Sequence, residues 1–171
     1  MPVKKILLLG NELLRKKSSR VHSFDTALTS LTSDLLDTLR NFQNNYEIGR
    51  AIAAPQIGVL KQVIAMETPE RQIIMVNPKI TQKSEELFDV WDSCFCFKVA
   101  FFVNIKRHRE ITIDYQTLDG KHITETFIDD LSELFQHEID HLHGVLCTDH
   151  LKNPKNIIMR EEWEGTYRKP S

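Results

Sequence analysis

Residues 137–141 read His-Glu-Ile-Asp-His, and that spacing points to a chemistry before the rest of the chain is considered. Two histidines four apart on a helix lie on one face, a turn apart, so both imidazoles can converge on one cation. Glu138, next to the first histidine, is then placed to work on a metal-activated water rather than to bind the metal. His137 and His141 are the first two candidate ligands, Glu138 a candidate general base, and metal-assisted hydrolysis the reaction class. His-x-x-x-His also occurs on solvated helix faces; the added Glu favours the catalytic reading.

A catalytic site of this kind takes three protein ligands and keeps a position for water. The candidates are Cys94, Cys96, Cys147, His143 and His150. His143 comes two residues after His141 and points off the metal-facing side. Cys147 completes a metzincin-like spacing, His137-Glu138-x-x-His141-x-x-Gly144-x-x-Cys147, with Cys where those proteases carry His. It reads equally as a small hydrophobe in a buried strand. Cys94 lies in Trp-Asp-Ser-Cys-Phe-Cys-Phe, outside any helix, and in extended backbone Cys94 and Cys96 face the same side. Spacing alone leaves the third ligand open.

The positioning elements follow from periodicity. Leu28, Leu31, Leu35, Leu39 and Phe42 predict a helix over residues 26–43, capped by Asp25 or Thr26 and stopped at Asn44 and Asn45. Residues 48–58 are rich in small side chains and read as backbone passing close to something else. Short β-type runs follow at 62–67, 73–76, 87–91, 100–105, 110–115 and 122–127, the last two joined by an Asp119-Gly120 hairpin signal. A second helix over 129–143 carries the metal motif, with Leu131, Leu134, Phe135 and Leu142 as its apolar face and Gly144 as its stop. Residues 145–147 read as a last short strand. The expectation is one α+β domain over 1–171, with residues 152–171 a charged, partly helical tail. A net charge of −2 on 171 residues gives no case for nucleic acid or a membrane surface, and no apolar run could span a bilayer. Three cysteines without an export signal suggest a reducing, cytoplasmic setting.

Three segments resemble the signature motifs of the peptide deformylase family. Gly49-Arg-Ala-Ile-Ala-Ala-Pro-Gln56-Ile-Gly58 is similar to G-x-G-x-A-A-x-Q, Asp92-Ser-Cys94-Phe-Cys96 to E-G-C-L-S, and Gln136-His137-Glu-Ile-Asp-His141-Leu-His-Gly144 to Q-H-E-x-D-H-L-x-G. The resemblance runs from about residue 4 to residue 151, in matching order. It implies antiparallel sheets around a central metal-binding helix, with Cys94, His137 and His141 holding one divalent metal, natively Fe²⁺, replaceable by Zn²⁺ or Ni²⁺. It implies removal of formyl from N-formyl-methionyl termini of nascent polypeptides, with release of formate. Glu138 would be the base; the Gln56 amide and the Phe95 backbone N–H would hold the oxyanion; Asp140 would either hold a ligand histidine from behind or anchor the helix. A transient contact of the tail after Leu151 with the ribosome is a further candidate.

The departures from the family pattern cluster on the substrate side. Asp92 replaces Glu, Ser93 Gly, Phe95 Leu and Cys96 Ser, and the family's downstream Arg is missing or moved, with Arg107 its nearest candidate. Ala51 stands for the second Gly and Arg50 for an apolar residue. Glu133, one turn before His137, stands where an apolar residue helps line the methionine pocket, with Asp130 a turn earlier. Arg50, Ala51, Asp92 and Glu133 are therefore the candidate substrate-binding residues. The alternatives are a deformylase-like amidase with a changed N-acyl substrate, a small metalloprotease using His137, His141 and Cys147 or a late Glu, and a metal-retaining paralogue that does not cleave.

Overall fold

A computed structural model describes residues 3–168 of the chain. Helix α1 spans Thr26–Tyr46, and the Asp25 side chain accepts the N–H groups of Ala27 and Leu28 at its start. It runs past the asparagines expected to stop it. Tyr46 stacks on Phe42 one turn back, with ring centroids 4.2 Å apart, and the chain leaves the helix only at Glu47, in a left-handed conformation with φ of 55°.

Eight strands follow: β1 Ala51–Ala53, β2 Val63–Glu67, β3 Gln72–Lys83, β4 Leu87–Asp92, β5 Phe101–His108, β6 Glu110–Gln116, β7 His122–Ile128 and β8 Ile157–Met159. They make two antiparallel sheets, ordered β1-β2-β3-β6-β7 and β4-β5-β8. Helix α2 spans Asp129–Leu142 and α3 spans Arg160–Tyr167. This is the α+β arrangement that the motifs implied.

Alternation along the strands divides the core between the two long helices. Ala51, Ala53, Ile64, Met66, Ile73 and Met75 pack with Leu134, Phe135, Ile139 and Leu142 of α2. Their neighbours Ile52, Val63, Ala65 and Val76 pack with Leu28, Leu35, Leu39 and Phe42 of α1. Helix α2 is tied to the second sheet by polar bonds. The Gln136 side chain accepts the His108 N–H at 3.1 Å and donates to the His108 carbonyl at 2.8 Å, and Ser132 Oγ donates to the same carbonyl. Both sheets therefore hold the helix that carries the two histidines.

Several elements differ from the sequence expectation. Residues 51–53 form an edge strand inside the small-residue stretch. β3 continues well past Val76, because Asn77, at φ of 54°, absorbs a register irregularity while its side chain bonds both the N–H and the carbonyl of Val21. Residues 145–147 are not a strand: the Asp149 carboxylate accepts the Leu146 N–H and curls Cys147–His150 into a single 3-10 turn. The tail supplies β8 and α3; residues 169–171 of it lie outside the described residues.

Gly144 ends α2 at φ of 73°, and a Cβ there would sit 2.4 Å from the Arg15 carbonyl oxygen. Gly144→Ala is expected to lower stability by at least about 1–2 kcal/mol, the cost of a left-handed L-residue, before the clash with Arg15 is added. Urea unfolding of the metal-loaded protein measures it.

Candidate active site

Three parts of the fold deliver the chemical residues. α2 aims His137 and His141 from one face, so their Nε2 atoms meet at 3.2 Å. Cys94 follows β4 and precedes a 3-10 turn over Phe95–Phe97, and its Sγ reaches His141 Nε2 at 3.3 Å. Gln56 comes from the turn after β1. Its Oε1 accepts the Ala53 N–H at 2.7 Å, which fixes the amide so that Nε2 points at the Cys94 and Cys96 sulfurs, 3.7 Å from each. Phe95 is held from behind: its ring stacks on Phe42 and lies over Gly49, where a Cβ would come within 2.4 Å of it. Only glycine permits that approach, at φ of 115°. Phe95 opens its turn, so its N–H has no acceptor within the turn itself.

The convergence of Cys94 Sγ with two imidazole nitrogens fits a bound cation. Bonds of about 2.0–2.1 Å to nitrogen and 2.3 Å to sulfur, at tetrahedral angles, put ligand atoms about 3.3–3.6 Å apart. Two other groupings of donors lie nearby. Cys96 Sγ sits within 4.8 Å of Cys94 and His141, and Cys147 Sγ within 4.8 Å of Asp92 and His137. The second is an ion pair with a thiol beside it, since Asp92 Oδ1 already engages His137 Nδ1 at 2.8 Å.

Of the two roles expected for Asp140, holding a ligand histidine falls to Asp92 and anchoring the helix stays with Asp140. Expected on the substrate side, Asp92 is buried behind His137, and its other oxygen accepts from Arg107 Nη2 at 2.9 Å. Asp140 binds Arg107 Nη1 at 2.6 Å and His150 Nε2 at 2.8 Å and anchors the helix through them. Arg107, named only as the nearest candidate for a displaced partner, is the centre of this network. Its inward register with Val103 and Ile105 along β5 was the available signal.

Electrostatics follow from burial and these pairs. Burial opposes charge on His137, but the charge and hydrogen bond of Asp92 outweigh it and push the imidazole up to about 9. Burial and the charge of His137 hold His141 well below its ordinary value. Burial pushes Glu138 up to about 7, and its Oε2 is buried with no hydrogen-bond partner among the described residues. Burial raises the Cys94 thiol, and a hydrogen bond with Cys94 lowers Cys96.

Glu138, Gln56, Phe95, Ala51, Arg50, Asp92, Glu133, Cys94 and His137 all line one cavity of about 60 Å³, and His141 lies behind it. Ser93, noted from sequence as a departure from the family motif, and Leu134, expected on the apolar face of the helix, complete the lining. Glu133 is not a solvated helix residue: it is half-buried against Arg50, Nη2 to Oε1 2.5 Å. A larger groove of about 650 Å³ between the 21–25 segment and α1 has none of this chemistry. No helix among the described residues is long and apolar enough to cross a membrane.

Residues 3–157 match the sequence profile of the polypeptide deformylase family. The chain is 40% identical over 149 residues to peptide deformylase 2 of Clostridium acetobutylicum, covering 87% of this chain and 95% of that protein. It is 35% identical over 160 residues to the peptide deformylase of Pseudothermotoga lettingae, covering 94% and 90%. The fold superposes on the crystal structure of the peptide deformylase of Thermotoga maritima with a TM-score of 0.83 at 28% identity, covering 90% of this chain and 100% of that one. For the Synechococcus elongatus peptide deformylase, solved in complex with actinonin, the TM-score is 0.84 at 26% identity, covering 91% and 82%.

Two predictions follow from the ligand environment. Asp92→Asn is expected to weaken metal affinity about 10–100-fold, by releasing the ring of His137, in a competition titration with a chelating dye. In the metal-free protein His137 is raised from 6.5 to about 9, so its contribution to stability is full below 6.5 and is lost as pH rises through about 9. Both His137 and Cys94 then hold protons near pH 7.5, so metal uptake should release about two protons and weaken as pH falls. Calorimetry in buffers of different ionisation enthalpy reads the proton count.

Proposed function

The chain belongs to the polypeptide deformylase family, and from that premise we propose how its own residues perform the reaction. The protein is a metal-dependent hydrolase that removes the formyl group from the N-terminus of nascent polypeptides. In this reading residues 1–171 make one catalytic domain, and Cys94 Sγ, His137 Nε2 and His141 Nε2 hold Fe²⁺, with Zn²⁺ or Ni²⁺ as substitutes. The ion supplies a Lewis acid that makes water acidic near neutral pH.

The protein residues do the rest. Asp92 fixes the His137 ring through Nδ1 and leaves Nε2 for the ion. Glu138 takes the proton of the attacking water on Oε2 and hands it to the leaving amine nitrogen. Burial raises the Glu138 carboxyl and so strengthens it as a base for that transfer. Gln56 Nε2 and the Phe95 N–H donate to the formyl oxygen as negative charge develops there. Ala51, on edge strand β1, lies along the path of the peptide. The observation that carries this reading is the meeting of the Cys94 thiol and the His137 Nε2 within 3.2–3.3 Å of His141 Nε2, beside a buried carboxylate oxygen without a partner among the described residues. A protein that only retained a metal would have no use for that carboxylate, and it is Cys94 Sγ that stands 3.3 Å from His141 Nε2, one of the paired nitrogens. The formylated nascent N-terminus is the partner, the setting is cytoplasmic, and the tail with α3 is the segment proposed to touch the ribosome in passing.

Formate release from formyl peptides by anaerobically Fe²⁺-loaded protein tests the assignment. Glu138→Gln is expected to keep its metal and lose about 10²–10⁴ in kcat/KM, and Gln56→Leu about 10²–10³. Cys94→Ala should lose the metal while Cys147→Ala keeps it; the reverse pattern would transfer the third-ligand role to Cys147.

A further inference from the structure

The cavity beside Glu138 has one wall that the hydrolysis does not use. Arg50, immediately before β1, reaches across to α2, where its Nη2 meets Glu133 Oε1 at 2.5 Å and its Nη1 meets Asp130 Oδ2 at 3.0 Å. The Glu133 side chain is 17% exposed and that of Arg50 35%, so the carboxylate is mostly covered while the guanidinium keeps part of its hydration, and the pair faces the same space as Cys94, His137 and Glu138. With the pair in place that space is about 60 Å³, against roughly 300–1,000 Å³ for small-molecule sites in general. A substrate amide within reach of Glu138 and Gln56 must put the side chain of its first residue against this pair.

The chemistry of the pair decides what side chain that is. An apolar group would strip the last water from Arg50 and Glu133 and give nothing back. A charged group would be repelled by one partner and would compete with it for the other, breaking a pair that the fold already makes. A neutral group that accepts from the guanidinium, which has five N–H donors, or donates to the carboxylate fits without breaking the ion pair. We propose that Arg50 and Glu133 are specificity-determining residues that favour a formylated first residue whose side chain ends in a neutral hydrogen-bonding group, over one ending in hydrocarbon or a bare thioether. This rests on the deformylase reading of the site. In a chain begun with methionine, the form that meets the condition is the sulfoxide, in which a weak thioether acceptor has become a polar one.

The test compares formyl-X-Ala-Ser peptides, with X as methionine sulfoxide, glutamine, methionine or norleucine, on the Fe²⁺ holoenzyme. Sulfoxide and glutamine are expected to exceed norleucine by at least about tenfold in kcat/KM, with methionine between. The Arg50→Leu/Glu133→Leu double variant, which removes both charges together, is expected to reverse the order; its metal content and thermal unfolding report that fold and site are intact. A native protein that prefers norleucine, with the same order in the double variant, overturns the proposal. Absence of formate from every peptide would defeat the deformylase reading instead. Calorimetric binding of the unformylated X-Ala-Ser peptides to the holoprotein still decides the pocket: preference for glutamine supports the proposal, and preference for norleucine overturns it.

Discussion

A buried carboxylate shared by an imidazole and a guanidinium sets the geometry of the reaction centre. Asp92 gives one oxygen to His137 and the other to Arg107, and Arg107 spends another arm on Asp140, which also receives His150. Charges in such a place persist only when each is paired, and removing one partner of a buried pair costs about 3–5 kcal/mol. The network joins the end of β4, the inward face of β5, the middle of α2 and the turn after it. The ring of His137 is consequently oriented by the same contacts that dock the helix. Burial alone would raise the Asp92 carboxyl; His137 and Arg107 together hold it below the usual carboxylate range.

That rigid base stands opposite a cavity whose two ends obey different rules. At the reacting end, groups are held with unsatisfied capacity: His141 Nδ1 and Glu138 Oε2 are buried without partners among the described residues, and His141 Nε2 faces two other lone-pair donors. At the far end, Arg50 and Glu133 satisfy each other. In the proposed reading, hydrolysis draws on the first kind of arrangement, and choice of side chain on the second. A reaction can therefore be kept while its specificity changes, because the two ends are built on separate contacts of one helix.

Glu133 shows what periodicity could and could not tell. Its place one turn before His137 fixes it on the metal-facing side of α2, and that much was legible. Whether it met solvent or a partner depended on Arg50, which is 83 residues away in sequence and unrelated to it by any local pattern. The division of labour between Asp92 and Asp140 was hidden for the same reason: each is acidic and near a candidate ligand, and only the path of β5, carrying Arg107 between them, separates the one that holds His137 from the one that holds the helix. Asn44 and Asn45 failed as a helix stop because the Phe42–Tyr46 ring contact outweighed a weak local preference.

The sequence by itself determined the chemistry. His137, Glu138 and His141 share a helix whose pitch forces them together, strand alternation sorts the core, and Gly144 ends the helix, because each depends on spacings of a few residues and on backbone sterics. The tertiary structure alone decided that Cys94 Sγ meets His141 Nε2, and it also decided the Arg107 network and the ion pair across the cavity. Those are meetings of groups 15–83 residues apart, set by how two sheets close on one helix, and no local propensity encodes them.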